Sequence, residues 1–361
     1  MVVDLSGTRL VYVAPRAGES GVGDYADEFI AAVRPHFGEV VEFRHRGPGH
    51  ATVAELLRDR RAIRDLVRDG RGRETIVHTE QSGGGMLPFW GPVGLGDVMV
   101  TSTVHDPPLT VWWPFRSRFA ARHRLIGHAV HFPLKAPLER LERRVNRGRT
   151  LIALSRLGAS ELEKTMSGST VVASSLLVPE RPDIDPVISR PPAIGLFGYV
   201  YRGKGFDMLS ELRDRIDPAV TIRIAGRGTE QLPPIEGIEI LGEVIGEEEH
   251  AFFNSIRMLL VPYNARLVYG REAVPAASTV SRAMAYGTPV LVRGHGALRE
   301  LGEDGGAVVI EGGPQELANA VDELVPDVGR LATLEAGAQR IRIRHSADRV
   351  IEDFLRVWRR T

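Results

Sequence analysis

Cysteine is absent from this chain of 361 residues. A chain without thiols has no disulfide, no thiolate-bound metal, no iron–sulfur cluster and no cysteine nucleophile. Long apolar runs are absent as well: the early stretch Leu10–Ala14 is too short for a signal peptide, and no later run reaches membrane-spanning length. The sequence therefore predicts a cytoplasmic protein in a reducing compartment.

The chain also lacks net charge, because 46 basic side chains are balanced by 46 acidic ones. Charged residues make up 25% and apolar residues 43% of the chain, which argues against intrinsic disorder. The balance argues equally against a protein that coats nucleic acid by bulk charge. Internal repeats and low-complexity blocks are missing, so solenoids and propellers are excluded. We expect a globular protein without a nucleic-acid partner.

Lysine is scarce. Lys135, Lys164 and Lys204 are the only lysines, so 43 of the 46 basic residues are arginine. Because the chain uses arginine wherever either residue would serve, each lysine calls for a specific reason.

Short apolar runs bounded by glycine or proline alternate with stretches of helical spacing. This alternation is typical of β-α units with a buried parallel sheet. The predicted strands are Leu10–Ala14, Val40–Phe43, Thr75–His78, Val98–His105, Leu151–Leu154, Thr170–Ala173, Ala193–Phe197, Thr221–Ala225, Ile238–Leu241, Met258–Val261, Pro289–Val292 and Ala307–Ile310. The predicted helices include Asp24–Val33, Val53–Val67, Phe206–Ile216, Glu247–Ser255, Thr279–Tyr286 and Pro314–Leu324.

A stretch with five prolines, from Pro179 to Pro192, interrupts this pattern and predicts a linker between two domains. The length also favours two domains. We expect an α/β protein with two Rossmann-like, doubly wound domains, 1–187 and 188–345, facing a central cleft. In such sheets ligands bind beyond the carboxyl ends of the strands, which predicts a site in the cleft.

Two glycine-containing turns suit phosphate. Gly21 and Gly23 follow the first strand and precede a helix, where backbone N–H groups and the helix dipole favour an anion. A flexible turn explains them equally well, and because Ala26 occupies the third position of the dinucleotide fingerprint, a nicotinamide or flavin enzyme stays open here. In the second half, Lys204 and Arg202 precede a helix beside Gly205, a charge arrangement suited to a diphosphate.

Five motifs occur in order along the chain: SGVGDY near the N-terminus, VHD at 104–106, FGYVYRGKG at 197–205, IAGRG at 224–228 and RAMAYGTPVLV at 282–292. With them the sequence resembles the retaining, metal-independent glycosyltransferases of the GT-B fold, family 4. The resemblance implies a UDP- or GDP-sugar donor, transfer of a hexose to an acceptor hydroxyl, no cofactor and no metal. It also implies that the final stretch, 346–361, is a helix that crosses back to the first domain.

The resemblance implies roles for particular residues. The implied catalytic residues are His105, Lys204 and Arg202, with the two basic side chains neutralising the leaving diphosphate. The implied donor-binding residues are Gly21, Gly23, Tyr199, Gly226, Glu272, Ser278, Thr279 and Arg282.

Two departures from the family pattern concern the donor nucleotide. The family has two glutamates eight positions apart, and Val274 and Arg282 stand in their places. A guanidinium cannot accept hydrogen bonds from ribose hydroxyls as a carboxylate does, so we predict that Glu272 takes over that role. Tyr199 likewise stands where the family often has arginine, which leaves Arg202 to substitute for it.

Residues 116–149 contain ten basic and two acidic side chains, mixed with apolar ones. A basic amphipathic segment of this kind binds anionic membranes, which would suit a lipid-linked or cell-envelope acceptor at the inner face of the membrane. A solvated helical face is the simpler explanation. The residues predicted to contact an acceptor or a membrane are Trp112, Trp113, Arg116, Arg118 and Arg122.

Three function classes follow from these patterns. The leading prediction is a glycosyltransferase acting on a nucleotide-diphosphate sugar and a sugar or lipid-linked acceptor, including small-molecule glycosides. A non-catalytic scaffold of the same fold is the alternative, suggested by Val274 and Arg282. A nicotinamide-dependent oxidoreductase is disfavoured because phosphate-binding features recur in both halves.

Overall fold

The computed structural model describes residues 4–70, 72–268 and 271–359. Packing divides the chain into two compact units. Unit 1 comprises Met1–Ser175, Leu267–Ala276 and Asp348–Thr361; unit 2 comprises Leu176–Arg266 and Ala277–Ala347. Each unit is built around one parallel sheet of six strands with helices, so the predicted α/β class with two doubly wound sheets is confirmed.

The sheet of unit 1 has the strand order β2-β1-β3-β4-β5-β6. Its strands are β1 Leu5–Pro15, β2 Phe37–His45, β3 Thr75–Gln81, β4 Met99–Val104, β5 Thr150–Ala153 and β6 Thr170–Ala173. Its helices are α1 Gly21–Val33, α2 Val53–Asp69, α3 Met86–Trp90, α4 Arg118–Arg122, α5 Arg124–His131, α6 Lys135–Asn146 and α7 Arg156–Thr165, with a 3₁₀ turn at Arg34–His36.

The sheet of unit 2 has the order β14-β13-β10-β7-β8-β9. Its strands are β7 Ala193–Phe197, β8 Thr221–Ala225, β9 Ile238–Ile240, β10 Met258–Val261, β13 Val290–Arg293 and β14 Ala307–Ile310. Its helices are α8 Leu209–Arg215, α9 Glu247–Asn254, α10 Ser278–Ala285, α11 Pro314–Leu324 and α12 Val328–Arg344, and 3₁₀ turns lie at Val187–Ser189, Phe206–Met208, Thr229–Gln231 and Gly296–Asp304. A short hairpin, β11 Leu267–Val268 and β12 Arg271–Glu272, belongs to unit 1.

The local sequence explains why these elements form where they do. Leu10–Ala14 of β1 is fully buried, as expected for a central parallel strand covered on both faces. Helix α2 begins with a capping box, in which Thr52 accepts from the backbone of Glu55 at 3.1 Å and Glu55 accepts from the backbone of Thr52 at 2.7 Å. Its Ile63 packs with Val11 of the sheet in the core of unit 1.

The last helix, α13 Ala347–Trp358, packs in unit 1. Phe354 lies edge-on to Phe29 of α1, with ring centroids 4.5 Å apart. Trp358 is fully buried and donates from Nε1 to Thr101 Oγ1 at 2.9 Å. Aromatic packing and a buried hydrogen bond therefore hold the last helix in unit 1. Within the described ranges, no helix is both long and apolar enough to cross a bilayer.

The proline-rich stretch predicted as a linker is part of unit 2, because the division between the units falls after Ser175. Val187 is fully buried in the core of that unit, and Arg190 is only 2% exposed. The Arg190 guanidinium donates to the carbonyl oxygens of Asp185, Phe253, Ile256 and Tyr286 and to Thr288 Oγ1, at 2.7 to 3.4 Å. These bonds tie the stretch that was expected to be a linker to α9 and to the segments that precede β10 and β13.

Replacing Arg190 with methionine should remove about 3 kcal/mol or more from the stability of unit 2, because several buried acceptors lose their donor at once. Urea unfolding should be followed by circular dichroism, since all four tryptophans lie in unit 1. Arg215→Met is the matched control, because Arg215 pairs with Glu211 on the surface and should contribute at most about 1 kcal/mol. Equal losses in the two variants would contradict the anchoring role.

Candidate functional site

Two glycines bring the carboxyl ends of β7 and β8 together in unit 2. Gly198 follows β7 with φ of 118° and Gly226 follows β8 with φ of 130°, conformations that residues with a side chain rarely adopt. A Cβ on Gly226 would lie 2.2 Å from the carbonyl oxygen of Gly198. Glycine is therefore required at position 226, a predicted donor-site residue, because two backbone segments approach each other closely there.

Lys204 lies in the loop between β7 and α8. Its Nζ donates to the hydroxyl of Tyr263, and it lies 3.7 Å from the centroid of that ring and 5.1 Å from the centroid of the Tyr201 ring. Tyr263 follows β10, the strand beside β7 in the sheet. Cation–π contacts therefore hold the ammonium group at the carboxyl edge of the second sheet, the edge where ligands bind in such folds.

The Tyr263 hydroxyl links Lys204 to the start of α10. It donates to Thr279 Oγ1 at 2.8 Å, and Thr279 donates to the carbonyl oxygen of Phe197 at 3.2 Å. Burial raises the pKa of Tyr263 well above its usual value, so the phenol keeps its proton. Because the Thr279 hydroxyl is directed at the backbone, what α10 offers an anion is its first backbone N–H groups, which have no side-chain cap at Ala277. Ser278, at the first position of the helix, is exposed.

Tyr199 and Arg202 lie in the same loop as Lys204. Arg202 is exposed, whereas Tyr199 lies against Arg227, whose guanidinium carbon is 5.4 Å from the ring centroid. The hydrogen bonds of Arg227 to Glu243, and to a lesser degree to Tyr199, raise the pKa of Arg227. An arginine from the loop after β8 thus contacts the tyrosine that stands where the resemblance implies an arginine.

Arg282 points to a neighbouring helix. Its Nη1 lies 3.5 Å from Glu249 Oε1 of α9. The same oxygen lies 3.3 Å from Arg181 Nε and accepts from the Tyr286 hydroxyl at 2.9 Å. The side chain predicted to contact the donor is therefore held in a structural cluster around one carboxylate.

In unit 1, His105 directly follows β4 and contacts a buried carboxylate. Its Nε2 lies 2.5 Å from Glu80 Oε2 of the neighbouring strand β3. The Glu80 side chain is fully buried and that of His105 is 11% exposed. The ring of Tyr25 lies edge-on to the imidazole with centroids 5.2 Å apart. The predicted catalytic histidine is therefore held at a strand end, and a small part of its side chain stays exposed.

Glu80 is the centre of a buried polar network. Its Oε1 accepts from the Tyr12 hydroxyl, from Thr103 at 3.3 Å and from His78 Nε2 at 3.2 Å. Burial alone would raise the pKa of Glu80, but the bonds to His105 and His78 lower it to about 2. An ionised Glu80 requires that His105 carry its proton on Nε2, which makes Nδ1 the acceptor of the neutral ring. The carboxylate thereby sets the tautomer of His105.

The glycine turn after β1 has a structural explanation. A Cβ on Gly23 would lie 2.1 Å from the carbonyl oxygen of Arg16, so the turn requires glycine. Ser20 caps α1 by accepting from the backbone N–H of Gly23 at 3.2 Å, and Gly21 is the first residue of that helix. Asp24 accepts from the backbone of Gly18 at 2.8 Å. The first turn of α1 is therefore rigid, and one of its N–H groups is already occupied.

Glu272 lies in the hairpin assigned to unit 1, paired with Leu267. Two residues on, the backbone N–H of Val274 donates to the carbonyl oxygen of Pro107 at 2.7 Å, and the Val274 side chain is buried. Ala273 packs against Leu109. The structure therefore places Glu272 on a segment tied to the loop after His105, and it places Lys204 and Thr279 in unit 2.

The two predicted aromatic contacts of the acceptor are half-buried. Trp112 packs on Gly83, where a Cβ would come within 2.2 Å of the indole, and Trp113 packs on Gly127 of α5. Arg116 lies over the Trp112 ring, with its guanidinium carbon 5.9 Å from the centroid. The packing explains both tryptophans in part and leaves part of each side chain exposed.

The other two predicted basic residues lie on α4. Arg118 donates to the carbonyl oxygen of His50 at 3.0 Å, and Arg122 is exposed. Around them lies an apolar segment, defined here as residues 119–134. Its side chains are unusually exposed: Phe119 64%, Leu125 86%, Ile126 56%, Val130 46%, Phe132 70% and Leu134 45%.

A second buried carboxylate supports the loop that carries the tryptophans. Glu142 of α6 accepts three hydrogen bonds on Oε1, from the backbone of Thr110, the hydroxyl of Thr110 and the backbone of Val111, at 2.7, 2.6 and 3.1 Å. Burial nevertheless raises the pKa of Glu142 to about 7. This carboxyl therefore serves as a structural acceptor for the Thr110 loop.

Sequence reasoning missed Glu80 and Tyr263. A signal for Glu80 is present, because β3 and β4 carry polar residues inside apolar surroundings: His78 and Glu80 on one strand, Thr101 and Thr103 on the next. Buried strands with so many polar side chains are unusual. Tyr263 carries no such signal, since it is one tyrosine in a loop. Across the residues that the structure describes, no cluster of three or more histidine, aspartate and glutamate side chains is arranged to hold a metal ion.

Comparisons with known proteins extend these observations. Residues 191–327 match the family model described as Glycosyl transferases group 1. No curated protein matches the chain by sequence. Among solved structures, HepE from Anabaena in complex with UDP and glucose is 14% identical with a TM-score of 0.66, and the match covers 98% of this chain and 100% of that one.

Two further similar structures are those of glycosyltransferases. AviGT4, involved in avilamycin A biosynthesis, is 15% identical with a TM-score of 0.60 over 98% of this chain and 97% of that one. WaaG, involved in lipopolysaccharide biosynthesis, is 10% identical with a TM-score of 0.60 over 96% and 99%. Likeness at these identities establishes the fold. The chain therefore has the GT-B fold of glycosyltransferases, and residues 191–327 match the glycosyl transferases group 1 family.

Proposed function

We propose that the protein is a retaining, metal-independent glycosyltransferase that moves a hexose from a UDP- or GDP-sugar to an acceptor hydroxyl. The observation that carries the proposal is Lys204, held by two tyrosines at the carboxyl edge of the second sheet within residues 191–327. An ammonium group fixed beside the uncapped start of a helix is suited to the diphosphate of such a donor. That HepE was solved with UDP and glucose supports a nucleotide-sugar donor.

In the proposed reaction, the bond between the anomeric carbon and the β-phosphate oxygen breaks, and the diphosphate leaves with the electron pair. The acceptor oxygen forms its bond to the anomeric carbon on the face that the phosphate leaves, and the acceptor proton passes to a departing phosphate oxygen. Negative charge grows on the diphosphate, and Lys204 with the first N–H groups of α10 would stabilise it. Fixed donors of this kind contribute about 2.7–4 kcal/mol each in other enzymes.

The catalytic role of Arg202 remains part of the proposal, and so do the donor-site roles of Gly21, Gly23, Tyr199, Gly226, Ser278 and Glu272. For Thr279 we propose its backbone N–H as the contributing group, because its hydroxyl bonds to Phe197. For Arg282 we propose an indirect role through Glu249, to which it is paired.

Nucleotide binding tests the proposal directly. We expect UDP or GDP, and the corresponding sugars, to bind in calorimetric titrations, and NAD to show no binding. When the sugar of a donor is transferred, NMR should show that the product keeps the anomeric configuration of the donor. EDTA should leave the rate of transfer unchanged. Donor binding without transfer to any acceptor of a broad panel would favour the scaffold alternative. Failure of both nucleotides to bind would contradict a transferase.

Lys204→Met should weaken donor binding or turnover at least tenfold, because the variant keeps the side-chain length and loses the charge that meets the diphosphate. Lys164→Met is the matched control, since Lys164 is exposed on α7 and pairs with Glu161. Both variants should be compared in donor titration and in initial rates. A fully active Lys204→Met protein would remove this lysine from the site.

We further propose that Glu80 is a positioning residue for His105. Glu80→Gln should lower kcat at least tenfold while the donor KM changes little, because an amide no longer forces the proton onto His105 Nε2. Nitrogen-15 NMR of the imidazole should then show a mixture of tautomers. Glu142→Gln, which alters another buried carboxyl of unit 1, should leave that NMR signature as in the wild type. An unchanged tautomer in Glu80→Gln would contradict the positioning role.

The localisation we propose is cytoplasmic, with peripheral association at an anionic membrane through residues 119–134. The apolar side chains there are more exposed than a solvated helix face requires, and basic residues such as Arg122 lie among them. This arrangement suits a lipid-linked or cell-envelope acceptor. Trp112, Trp113, Arg116 and Arg118 would then lie next to the bound acceptor or lipid.

Leu125→Glu should abolish co-sedimentation with phosphatidylglycerol-containing vesicles, because a carboxylate replaces the most exposed apolar side chain of that segment. Binding of the wild type should weaken as salt is raised, since part of the attraction is electrostatic. Ile343→Glu is the control, because Ile343 is 68% exposed on α12 of unit 2. Wild-type binding that is absent or indifferent to salt would contradict the membrane proposal.

A further inference from the structure

A cavity in unit 1 is separate from His105 and Glu80. It has a volume of about 300 Å³, which is at the lower end of the range for small-molecule sites. It lies beyond the carboxyl ends of β1 and β2 and is walled by the loop after each strand, by α2 and by the glycine-containing loop after β3. Five arginines and two acidic residues line it: Arg16, Arg44, Arg46, Arg58, Arg116, Glu55 and Asp59.

Two of these arginines have close protein partners. Arg44 donates to Glu42 at 3.0 and 3.1 Å, to Asp27 at 2.5 Å and to the carbonyl oxygen of Pro15 at 3.1 Å. Arg58 lies 2.9 Å from Asp59. The charges of these two arginines are therefore satisfied within the fold.

Among the residues that the structure describes, Arg16 and Arg46 have long ion pairs. Arg16 lies 3.9 Å from Glu19, and Arg46 lies 3.8 Å from Glu55, distances beyond a hydrogen bond. Glu55 uses its other oxygen to cap α2 at the backbone of Thr52, and that bond, more than Arg46, lowers the pKa of Glu55. Both guanidinium groups therefore keep hydrogen-bonding capacity for a ligand.

Arg116 is positioned by two glycines. A Cβ on Gly84 would lie 2.7 Å from both Cδ and Nη1 of Arg116, and a Cβ on Gly49 would lie 3.7 Å from its Nε. Both glycines have positive φ, 91° and 79°. The loops after β2 and β3 thus close on the arginine side chain and hold it, which reduces the entropy that a ligand contact would cost.

His45, the last residue of β2, contributes an uncharged polar wall. It is 6% exposed, and its Nδ1 lies 2.7 Å from the carbonyl oxygen of Arg46, so Nδ1 carries the proton. Burial lowers the pKa of His45 to about 4, which keeps the ring neutral. Within the described part of the chain, its buried Nε2 has no hydrogen-bond partner. His45 therefore lines the cavity as a neutral ring and adds no further positive charge.

From these contacts we infer that the cavity binds an acidic sugar. This ligand is a small polyol with a phosphate or carboxylate group, and Arg16, Arg46 and Arg116 bind that group. Guanidinium groups bind both acids with paired, charge-assisted hydrogen bonds. The inference deepens the proposed function. It rests on that function only where it assigns the bound acid as the acceptor of the transferred sugar.

Calorimetric titration of the full chain with glucose 6-phosphate, glucuronate, glucose and inorganic phosphate tests this inference. We expect the two acidic sugars to bind with an affinity that falls as salt is raised, and glucose to bind at least tenfold more weakly. Arg46→Met and Arg116→Met should each lower the affinity for the acidic sugars at least tenfold. Arg68→Met is the control, because Arg68 lies on α2 outside the cavity and pairs with Asp65.

Several outcomes would overturn the inference: glucose binding as tightly as the acids, inorganic phosphate binding as tightly as glucose 6-phosphate, unchanged affinity in both arginine variants, or no binding of either acid. UDP titration of the same variants separates this result from the proposed function, since donor binding depends on Lys204 and should be unaffected. If phosphatidylglycerol vesicles compete with glucose 6-phosphate, the bound acid is a lipid headgroup. If they do not compete, the bound acid is a free sugar.

Discussion

Burial of a parallel sheet on both faces is the constraint on which the rest of this structure depends. Strands such as β1 and β10 are apolar because neither face meets water, and polar groups therefore collect where the strands end. Lys204 in unit 2, His105 in unit 1 and the arginine-lined cavity beyond β1 and β2 all lie at carboxyl ends. The chemistry available to the protein is thus concentrated at one edge of each sheet.

Two buried carboxyls in unit 1 show how that constraint is relaxed. Glu142 accepts three hydrogen bonds from neutral donors, and burial still raises its pKa to about 7. Glu80 is more deeply buried, and despite that burial its contacts with His105 and His78 lower its pKa to about 2. Hydroxyl and backbone donors therefore do not offset the burial of Glu142, whereas the contacts with two imidazoles do offset the burial of Glu80. A charge retained at such cost on β3 is better explained by what it does to His105 than by stability.

Apolar patterning predicted the strands of both sheets closely, and β6, β7, β8, β10 and β14 have the predicted bounds. It succeeded because buried strands are short, apolar and bounded by glycine or proline. It failed at contacts between distant segments. Tyr263 meets Lys204 only because β10 neighbours β7, and Glu80 meets His105 only through the register that pairs Glu80 with Thr103. The density of prolines around Arg190 indicated a linker, although Arg190 bonds to the segments that precede β10 and β13 of unit 2.

The departures from the family pattern take on a different meaning once the contacts are known. From the sequence alone, Arg282 and Val274 indicate that two carboxylates of the family pattern are missing, and with them the contacts to the ribose. In the structure Arg282 pairs with Glu249 on α9, and Val274 is buried on a segment bonded to Pro107. Each residue therefore has a packing role that a glutamate would not fill equally well. In the proposed function, Glu272, on the same segment as Val274, is the carboxylate that would contact the nucleotide.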